Sequence, residues 1–448
     1  MQQSETQFDA LIVGLGKTGM SCVRFLSEQG LSMLVTDTRL EPPYINDLKN
    51  EFPNLRFVHG ELTEEQCNCA EMIVVSPGVS LNTSALKTAI AQGKTVVGDI
   101  ELFSRQAKAP IVAITGSNGK STVTTLLDLM AKADGKQVET GGNIGTPALD
   151  LLKAPLPQFY ILELSSFQLE TTFSMNAYAS VVLNISSDHM DRYDDIEQYV
   201  AAKQKIYAGN GSAVINLDDE YVADMLSAGD VLTFTSHEET NADCYVANYK
   251  DEEWLFIQSV PIISVASLGL KGTHNISNAL AAIALASTMN ISSSAMKQVL
   301  ESFTGLPHRC QLVAEINGVA WINDSKATNV GACIAAIEGL NNPGKVLLIV
   351  GGDSKGAELD DLLPVFEEHI KHVFILGKDS ERFVQLIKGR IEYSLVRDIQ
   401  EAVQQADVIA NTGDCVLLAP ACASLDMFEN YQQRGDVFIT AVSDRNQF

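Results

Sequence analysis

Cations are scarce in this chain. Lysine and arginine number 31 against 56 aspartates and glutamates, a net charge of −25. That balance argues against non-specific binding to nucleic acid or to an anionic membrane surface. Long hydrophobic runs are lacking too. No stretch reaches the roughly 18 apolar residues that a membrane helix needs, and Ala279–Ala286 is short enough to be at most a buried helix. Residues Met1 to Ala10 have no basic stretch leading into an apolar one, so no secretory signal is expected. The eight cysteines follow no repeating spacing. Cys67 and Cys69 could be half of a metal site, but no second Cys or His pair lies at zinc-site distance, which favours buried or idle thiols. The expectation is a soluble, reduced, cytoplasmic protein with no nucleic-acid partner and no membrane insertion. Hydrophobic residues make up 46% and charged ones 19%, as in a globular protein. The 448 residues exceed one ordinary core, so about two to four domains are expected.

An acidic chain that binds anions must place its few cations deliberately, so a lysine beside a glycine turn carries extra weight. Residues 111–122 read Ile-Val-Ala-Ile-Thr-Gly-Ser-Asn-Gly-Lys-Ser-Thr. A β-branched strand, Ile111 to Thr115, runs into a glycine loop and then a helix-patterned segment, Ser121 to Ala133. Gly116, Ser117, Asn118 and Gly119 can turn N–H groups inward on an anion, and the helix N-terminus adds partial positive charge. Lys120 can reach the outer phosphates, while the hydroxyl of Ser121 or Thr122 can hold Mg²⁺. A standard phosphate loop has glycine where this chain has Ile114, so the loop is short by that rule. It points to ATP or GTP.

Three parts are expected, over residues 1–98, 99–305 and 306–448. The first opens with a strand, Ala10 to Val13, followed by Gly14-Leu15-Gly16-Lys17-Thr18-Gly19 and a helix. A second strand ends at Asp37. A GxGxxG turn with an acid about twenty residues on is the dinucleotide fingerprint, and it suits any diphosphate attached to a ribose. The strand Met72 to Val75 runs into Ser76-Pro77-Gly78. The second part carries the phosphate loop, then Gly141-Gly142-Asn143-Ile144-Gly145 and a strand, Phe159 to Leu162, ending at Glu163. A carboxylate there is where a second metal-holding group is expected. Another strand, Ser180 to Leu183, leads to Asp188-His189-Met190-Asp191-Arg192. The segment Ile196 to Tyr207 has helical spacing, and its Lys203 reads as a solvated face residue. Asn275 and Asn278 stand near a helix start, where they either cap it or read a base edge. Gly305, Pro307 and Arg309 open the third part at a hinge. Strand signals at Val319–Ile322, Val346–Val350, Val373–Leu376 and Val416–Leu418 alternate with helical patterns. That pattern reads as another doubly wound α/β unit. Its polar strand ends are Asn323–Asn329, Gly351–Lys355 and Ala419–Ser424.

Together these segments resemble the Mur ligase family across nearly the whole chain. The resemblance rests on the phosphate loop, Gly141–Gly145, Glu163–Gln168, Asp188–Arg192, His274-Asn275 and Gly305–Arg309. Asn323–Asn329 and Ala421–Asp426 resemble the branch of that family that adds D-glutamate, whereas folylpolyglutamate synthase shares only the central motifs. The resemblance implies an α/β protein of three domains: an N-terminal Rossmann-like UDP-binding domain, a central ATPase-type domain and a C-terminal Rossmann-like domain. It implies an ATP-dependent amide ligase of peptidoglycan precursor synthesis, joining D-glutamate to UDP-N-acetylmuramoyl-L-alanine through an acyl phosphate. A monomer whose domains close is expected.

The same resemblance implies roles for residues. Lys120, His189 and Lys203 would be catalytic. ATP would lie on Gly116–Thr122, Asn275, Asn278, Arg309, Asp324 and Lys326. Two Mg²⁺ sites would draw on Ser121, Thr122, Glu163, His189 and Lys203, the last as a carbamylated lysine. That reverses its plain reading as a surface residue. The UDP substrate would lie on Gly14–Gly19, Asp37, Thr38, Arg39, Ser76, Pro77, Gly78 and Asn143. Thr328, Lys355, Ser424 and Tyr431 would bind D-glutamate, Tyr431 standing where the family has phenylalanine. An NAD-dependent dehydrogenase would leave Gly116–Thr122 unexplained. A non-catalytic nucleotide switch would leave Glu163, His189 and Asn323–Asn329 unexplained.

Overall fold

The computed structural model describes residues 8–153, 155–188, 190, 192–237, 241–270, 272–340 and 344–445. Three separate sheets organise them. The first holds five parallel strands in the spatial order Arg56–His59, Met33–Asp37, Phe8–Val13, Ala70–Val75, Thr95–Val97. The chain winds outward in one direction from Phe8–Val13 and then returns to its other side. The crevice at that reversal lies outside the carboxyl ends of Phe8–Val13 and Ala70–Val75, where a doubly wound sheet binds ligands. Gly14 and Ser76 follow those two ends directly.

The second sheet has nine strands. Its parallel part runs Val231–Phe234, Ser212–Asn216, Ala179–Val182, Ile111–Thr115, Phe159–Glu163, Val138–Gly142. Ile111–Thr115 is buried on both faces, as its run of Ile, Val and Ala requires. Its neighbours are Ala179–Val182 and Phe159–Glu163. The phosphate loop therefore emerges between Glu163 and the segment beginning at Leu183. One helix, Thr273–Thr288, backs this sheet. Its alanine-rich stretch Ala279–Ala286 is wholly buried beside the phosphate-loop helix Lys120–Ala133.

An antiparallel meander, Cys244–Tyr249, Glu252–Ile257 and Val260–Ser264, extends this sheet and was not anticipated. Val246, Leu255 and Ile263 point into the core while Tyr245, Tyr249 and Trp254 form an outer aromatic group. Such short strands, half polar, give a weak periodic signal.

The third sheet runs Gln311–Ile316, Val319–Asn323, Cys415–Leu418, Val346–Gly351, Ile370–Leu376, Tyr393–Leu395, with only its first strand antiparallel. Cys415–Leu418, late in the sequence, sits between Val319–Asn323 and Val346–Gly351. Three polar strand ends, at Asn323, Ala419 and Gly351, thus share one edge. The α/β expectation holds in all three sheets. Among the described residues, no helix is long and apolar enough to cross a membrane.

Candidate active site

The phosphate loop is held from below and from one side. Gly116 has φ of +151° and Gly119, which precedes the helix Lys120–Ala133, has φ of +80°. Both positions suit glycine, and a Cβ on Gly119 would stand 2.2 Å from Asn278 Oδ1. The Ser117 N–H donates to the Asn184 carbonyl at 2.9 Å, and the Asn118 N–H to Asn184 Oδ1 at 2.8 Å. Lys120 folds back, its Nζ donating to the carbonyls of Gly116 and Ser117 at 2.7 and 2.8 Å.

Lys203 is not a surface residue. It lies on the helix Ile196–Gln204, is 1% exposed, and donates from Nζ to the Gly116 carbonyl at 2.8 Å. Its Nζ stands 4.5 Å from the centroid of the Tyr199 ring, whose hydroxyl meets Ser117 Oγ at 3.1 Å. Burial, and then the charge of Lys120, push the Lys203 pKa well below the usual lysine value. Helical spacing could have revealed Tyr199, since it precedes Lys203 by four residues and shares its face.

Glu163 lies at 2% exposure with Oε1 accepting from Asn143 Nδ2 at 2.7 Å. Its Oε2 is buried without a hydrogen-bond partner among the described residues. A buried, half-satisfied carboxylate lining the same cavity as two hydroxyls, those of Ser121 and Thr122, is hard-donor chemistry suited to Mg²⁺. Among the described residues, no group of three or more His, Cys, Asp or Glu could hold a metal ion alone. His189 lies outside the described residues.

The third sheet supplies the opposite wall of a cavity of about 620 Å³, which Ser117–Thr122, Asn143 and Glu163 also line. Arg309 Nη2 donates to Ser121 Oγ at 2.8 Å. Asn329 caps the helix Val330–Glu338 and donates from Nδ2 to Asn118 Oδ1 and Asp188 Oδ2 at 3.3 and 3.2 Å. Lys355 Nζ pairs with Asp188 Oδ1 at 3.2 Å. Asp324, Lys326 and Thr328 join this lining. Burial raises the Asp324 pKa to about 6. Burial, with repulsion from Arg309 and Lys120, lowers that of Lys326 to about 8. Asn275 and Asn278 line the cavity as well, from within the helix that starts at Thr273, so neither is its cap. Asn278 Nδ2 donates to Asn275 Oδ1 at 3.1 Å.

Two of the four residues assigned to D-glutamate do not line the cavity in this structure. Ser424 is 4% exposed, and its carbonyl accepts from the Phe428 N–H at 2.8 Å. The Tyr431 ring instead carries Lys326 Nζ at 4.3 Å from its centroid.

A second cavity, about 870 Å³, opens at the reversal point of the first sheet. Gly14, Gly16, Lys17, Thr18, Asp37, Thr38, Arg39 and Ser76–Gly78 line it, and Pro77, Gly78 and Asn143 border both cavities. Leu15 and Gly19 do not line it. The Leu15 side chain is fully buried and its N–H donates to Asp37 Oδ2 at 2.7 Å. A Cβ on Gly19 would fall 1.9 Å from the Gly14 carbonyl, so that glycine serves close packing of helix on turn. Burial works against the Asp37 charge, but the Arg39 guanidinium and the Leu15 N–H outweigh it and hold the pKa near 2.

Family models cover most of the chain. Residues 8–98 match the Mur ligase MurD-like N-terminal domain, 114–286 the Mur ligase middle domain, and 308–422 the Mur ligase glutamate ligase domain. A protein of Nitrosococcus oceani named UDP-N-acetylmuramoylalanine–D-glutamate ligase is 46% identical over 99% of this chain and 98% of its own length. One of the same name from Pseudomonas savastanoi is 47% identical over 96% of this chain and 97% of its own. Among solved structures, UDP-N-acetylmuramate-alanine ligase from Thermotoga maritima aligns with TM-score 0.60 and 17% identity, over 98% of this chain and 100% of that one. Escherichia coli FolC with ADP bound aligns at 0.60 and 17%, over 79% and 94%. At such identities these two share the fold.

Proposed function

The chain belongs to the Mur ligase family, and from that premise we propose that it joins D-glutamate to UDP-N-acetylmuramoyl-L-alanine at the expense of ATP. The observation that carries this reading is the full-length likeness to relatives named for that activity. The convergence of Lys120, Arg309, Lys326 and Lys355 on one cavity of an otherwise acidic protein supports it.

An amine does not displace oxide from a carboxylate. The alanyl carboxylate therefore attacks the γ-phosphorus of ATP, the bond to ADP breaks, and an acyl phosphate forms. The amine of D-glutamate then attacks the acyl carbon and phosphate leaves with the bonding pair. Three anions must meet in this sequence, so the protein's task is charge neutralisation and placement.

Lys120 gives up its loop carbonyls to the transferring phosphoryl group. Arg309, Asp324 and Lys326 hold the rest of ATP, and Asn275 and Asn278 face its base. Thr328 and Lys355 take D-glutamate carboxylates, Lys355 exchanging Asp188 for the substrate. Ser424 and Tyr431 join them once the third part moves toward the substrate. The UDP group lies over Gly14–Thr18 and Ser76–Gly78, with Asp37 to Arg39 beside the uridine and Asn143 at the muramoyl end. Ser121, Thr122, Glu163 and His189, with Lys203 as its carbamate, would hold Mg²⁺, which supplies further neutralisation of phosphate charge when bound.

The test is phosphate release with ATP and UDP-N-acetylmuramoyl-L-alanine, offering D-glutamate, L-glutamate, meso-diaminopimelate or L-alanine in turn. Release with D-glutamate alone is expected. No release with any acceptor would sink the proposal.

A further inference from the structure

Arg192 belongs to the Asp188–Arg192 motif, yet no step above uses it. Its side chain is 9% exposed and grips three things at once. Nη2 pairs with Glu170 Oε2 at 2.5 Å, and Nε donates to Glu170 Oε1 at 3.3 Å. Nη1 crosses to the first part of the chain and donates to the Pro77 carbonyl at 2.9 Å. The guanidinium carbon lies 4.1 Å from the centroid of the Phe167 ring. The planar fork of arginine suits this combination, because it can meet both Glu170 oxygens and a third acceptor from fixed directions while its flat face lies on a ring, which the single nitrogen of a lysine cannot reproduce.

What Arg192 holds gives it meaning. Pro77 borders both cavities, and Phe167 lines the phosphate-loop cavity. From Phe167 a chain of rings continues inward: Tyr193 at 6.1 Å between centroids, then Tyr199 at 5.2 Å. Tyr199 touches both Ser117 Oγ and the Lys203 ammonium. Other polar contacts cross this seam: Lys17 Nζ donates to the Gly145 carbonyl at 2.7 Å and Lys153 Nζ pairs with Glu28 Oε1 at 3.3 Å, both exposed, and the Gly98 N–H donates to the Thr171 carbonyl at 3.2 Å. A charge-assisted bond in a buried setting constrains more than one in water.

We propose that Arg192 is a positioning residue. By fixing the Pro77 turn against the Phe167–Tyr193–Tyr199 stack, it sets the sugar-nucleotide cavity at a fixed distance from the phosphate loop. The carboxylate of the bound sugar nucleotide is thereby delivered to the γ-phosphate. This rests on the function proposed above. Arg192 touches neither substrate; it acts through the Pro77 carbonyl.

The test compares wild type, R192K and R192A in steady-state kinetics, with calorimetric titration of UDP-N-acetylmuramoyl-L-alanine and of a non-hydrolysable ATP analogue. Misplacement predicts a roughly tenfold to hundredfold loss in kcat/KM for the sugar nucleotide. The Kd of the ATP analogue should stay within about threefold, because the loop's own contacts remain. R192K should recover little, and added guanidinium ion should restore part of the R192A activity. Equal loss of ATP-analogue and sugar-nucleotide binding would reduce Arg192 to a folding role and overturn the inference, as would unchanged kinetics in both variants. If R192A does not fold, R192K decides by the same criteria. Wild type inactive with every acceptor would instead overturn the proposed function, whereas an active wild type with unaffected variants overturns the positioning role alone.

Discussion

Lys120 and Lys203 donate to the same oxygen atom, the carbonyl of Gly116, at 2.7 and 2.8 Å. Two ammonium groups so placed repel one another, and neither has a carboxylate at salt-bridge distance among the described residues. Burial lowers both pKa values, helped at Lys120 by the charges of Arg309 and Lys355 and at Lys203 by that of Lys120, and Lys203 falls the further. A strand-end glycine thus organises one lysine that lines the cavity and one that lies buried beneath the loop.

A lysine held with a depressed pKa offers more neutral amine, the form that adds to carbon dioxide and loses a proton to give a carbamate. Protein equilibrated with ¹³C-labelled bicarbonate should show a carbamate carbon resonance that K203M lacks. K203M should also lose about two orders of magnitude or more in kcat. A wild-type spectrum without that resonance would remove the carbamate from the site.

A side chain at Gly119 is strained. Its φ is +80° and an added Cβ would meet Asn278 Oδ1 at 2.2 Å. G119A should therefore cost about 2 kcal/mol of local strain, or roughly thirtyfold in ATP Kd if the strain is expressed in the nucleotide-binding form. Calorimetry with an ATP analogue measures this, and an unchanged Kd would show that the loop relaxes freely.

Lys355 is paired with Asp188 across the cavity at 3.2 Å. K355M should raise the KM for D-glutamate by roughly thirtyfold or more, since a partly desolvated carboxylate loses its cation. The KM for ATP should move by less than about threefold. Equal changes in both would place Lys355 in closing the cavity and not in reading the amino acid.

Asp99 gives a pH dependence separate from the chemistry. Burial raises its pKa to about 6 from 3.8 although Gln168 Nε2 donates to it at 3.0 Å. The folded carboxyl keeps its proton up to about pH 6 while the unfolded one releases it near 3.8. Native protein binds more protons in that window, so stability is highest below it and falls as pH rises through it. The group contributes a drop of about 3 kcal/mol between pH 4 and 7. Thermal melting of wild type and D99N across that range should show the steeper decline in wild type. Parallel curves would mean that Asp99 ionises freely in the fold.

Much of the site was legible along the chain because it follows strands. Gly116–Thr122, Glu163 and Asn323–Lys326 stand at the ends of β-branched runs, and ligands of open α/β sheets gather at strand ends. The glycines announced themselves through spacing. Leu15 and Gly19 show where that spacing misleads, for one fills a core and the other permits close packing. The Cys244–Ser264 meander was hidden because its strands are short and half polar.

The sequence by itself determined the three α/β units, the phosphate loop and the dinucleotide-type turn, since each is written in local periodicity and in glycines that only particular turns require. The tertiary structure decided which distant segments meet. Nothing local tells Lys203 from a solvated helix lysine. It is buried because the helix Ile196–Gln204 packs beneath a loop some eighty residues earlier. Nothing local pairs Asp188 with Lys355 or Arg192 with Pro77. Those contacts depend on how three separately wound sheets set their carboxyl ends against one another, and long-range packing, not neighbouring residues, fixes that.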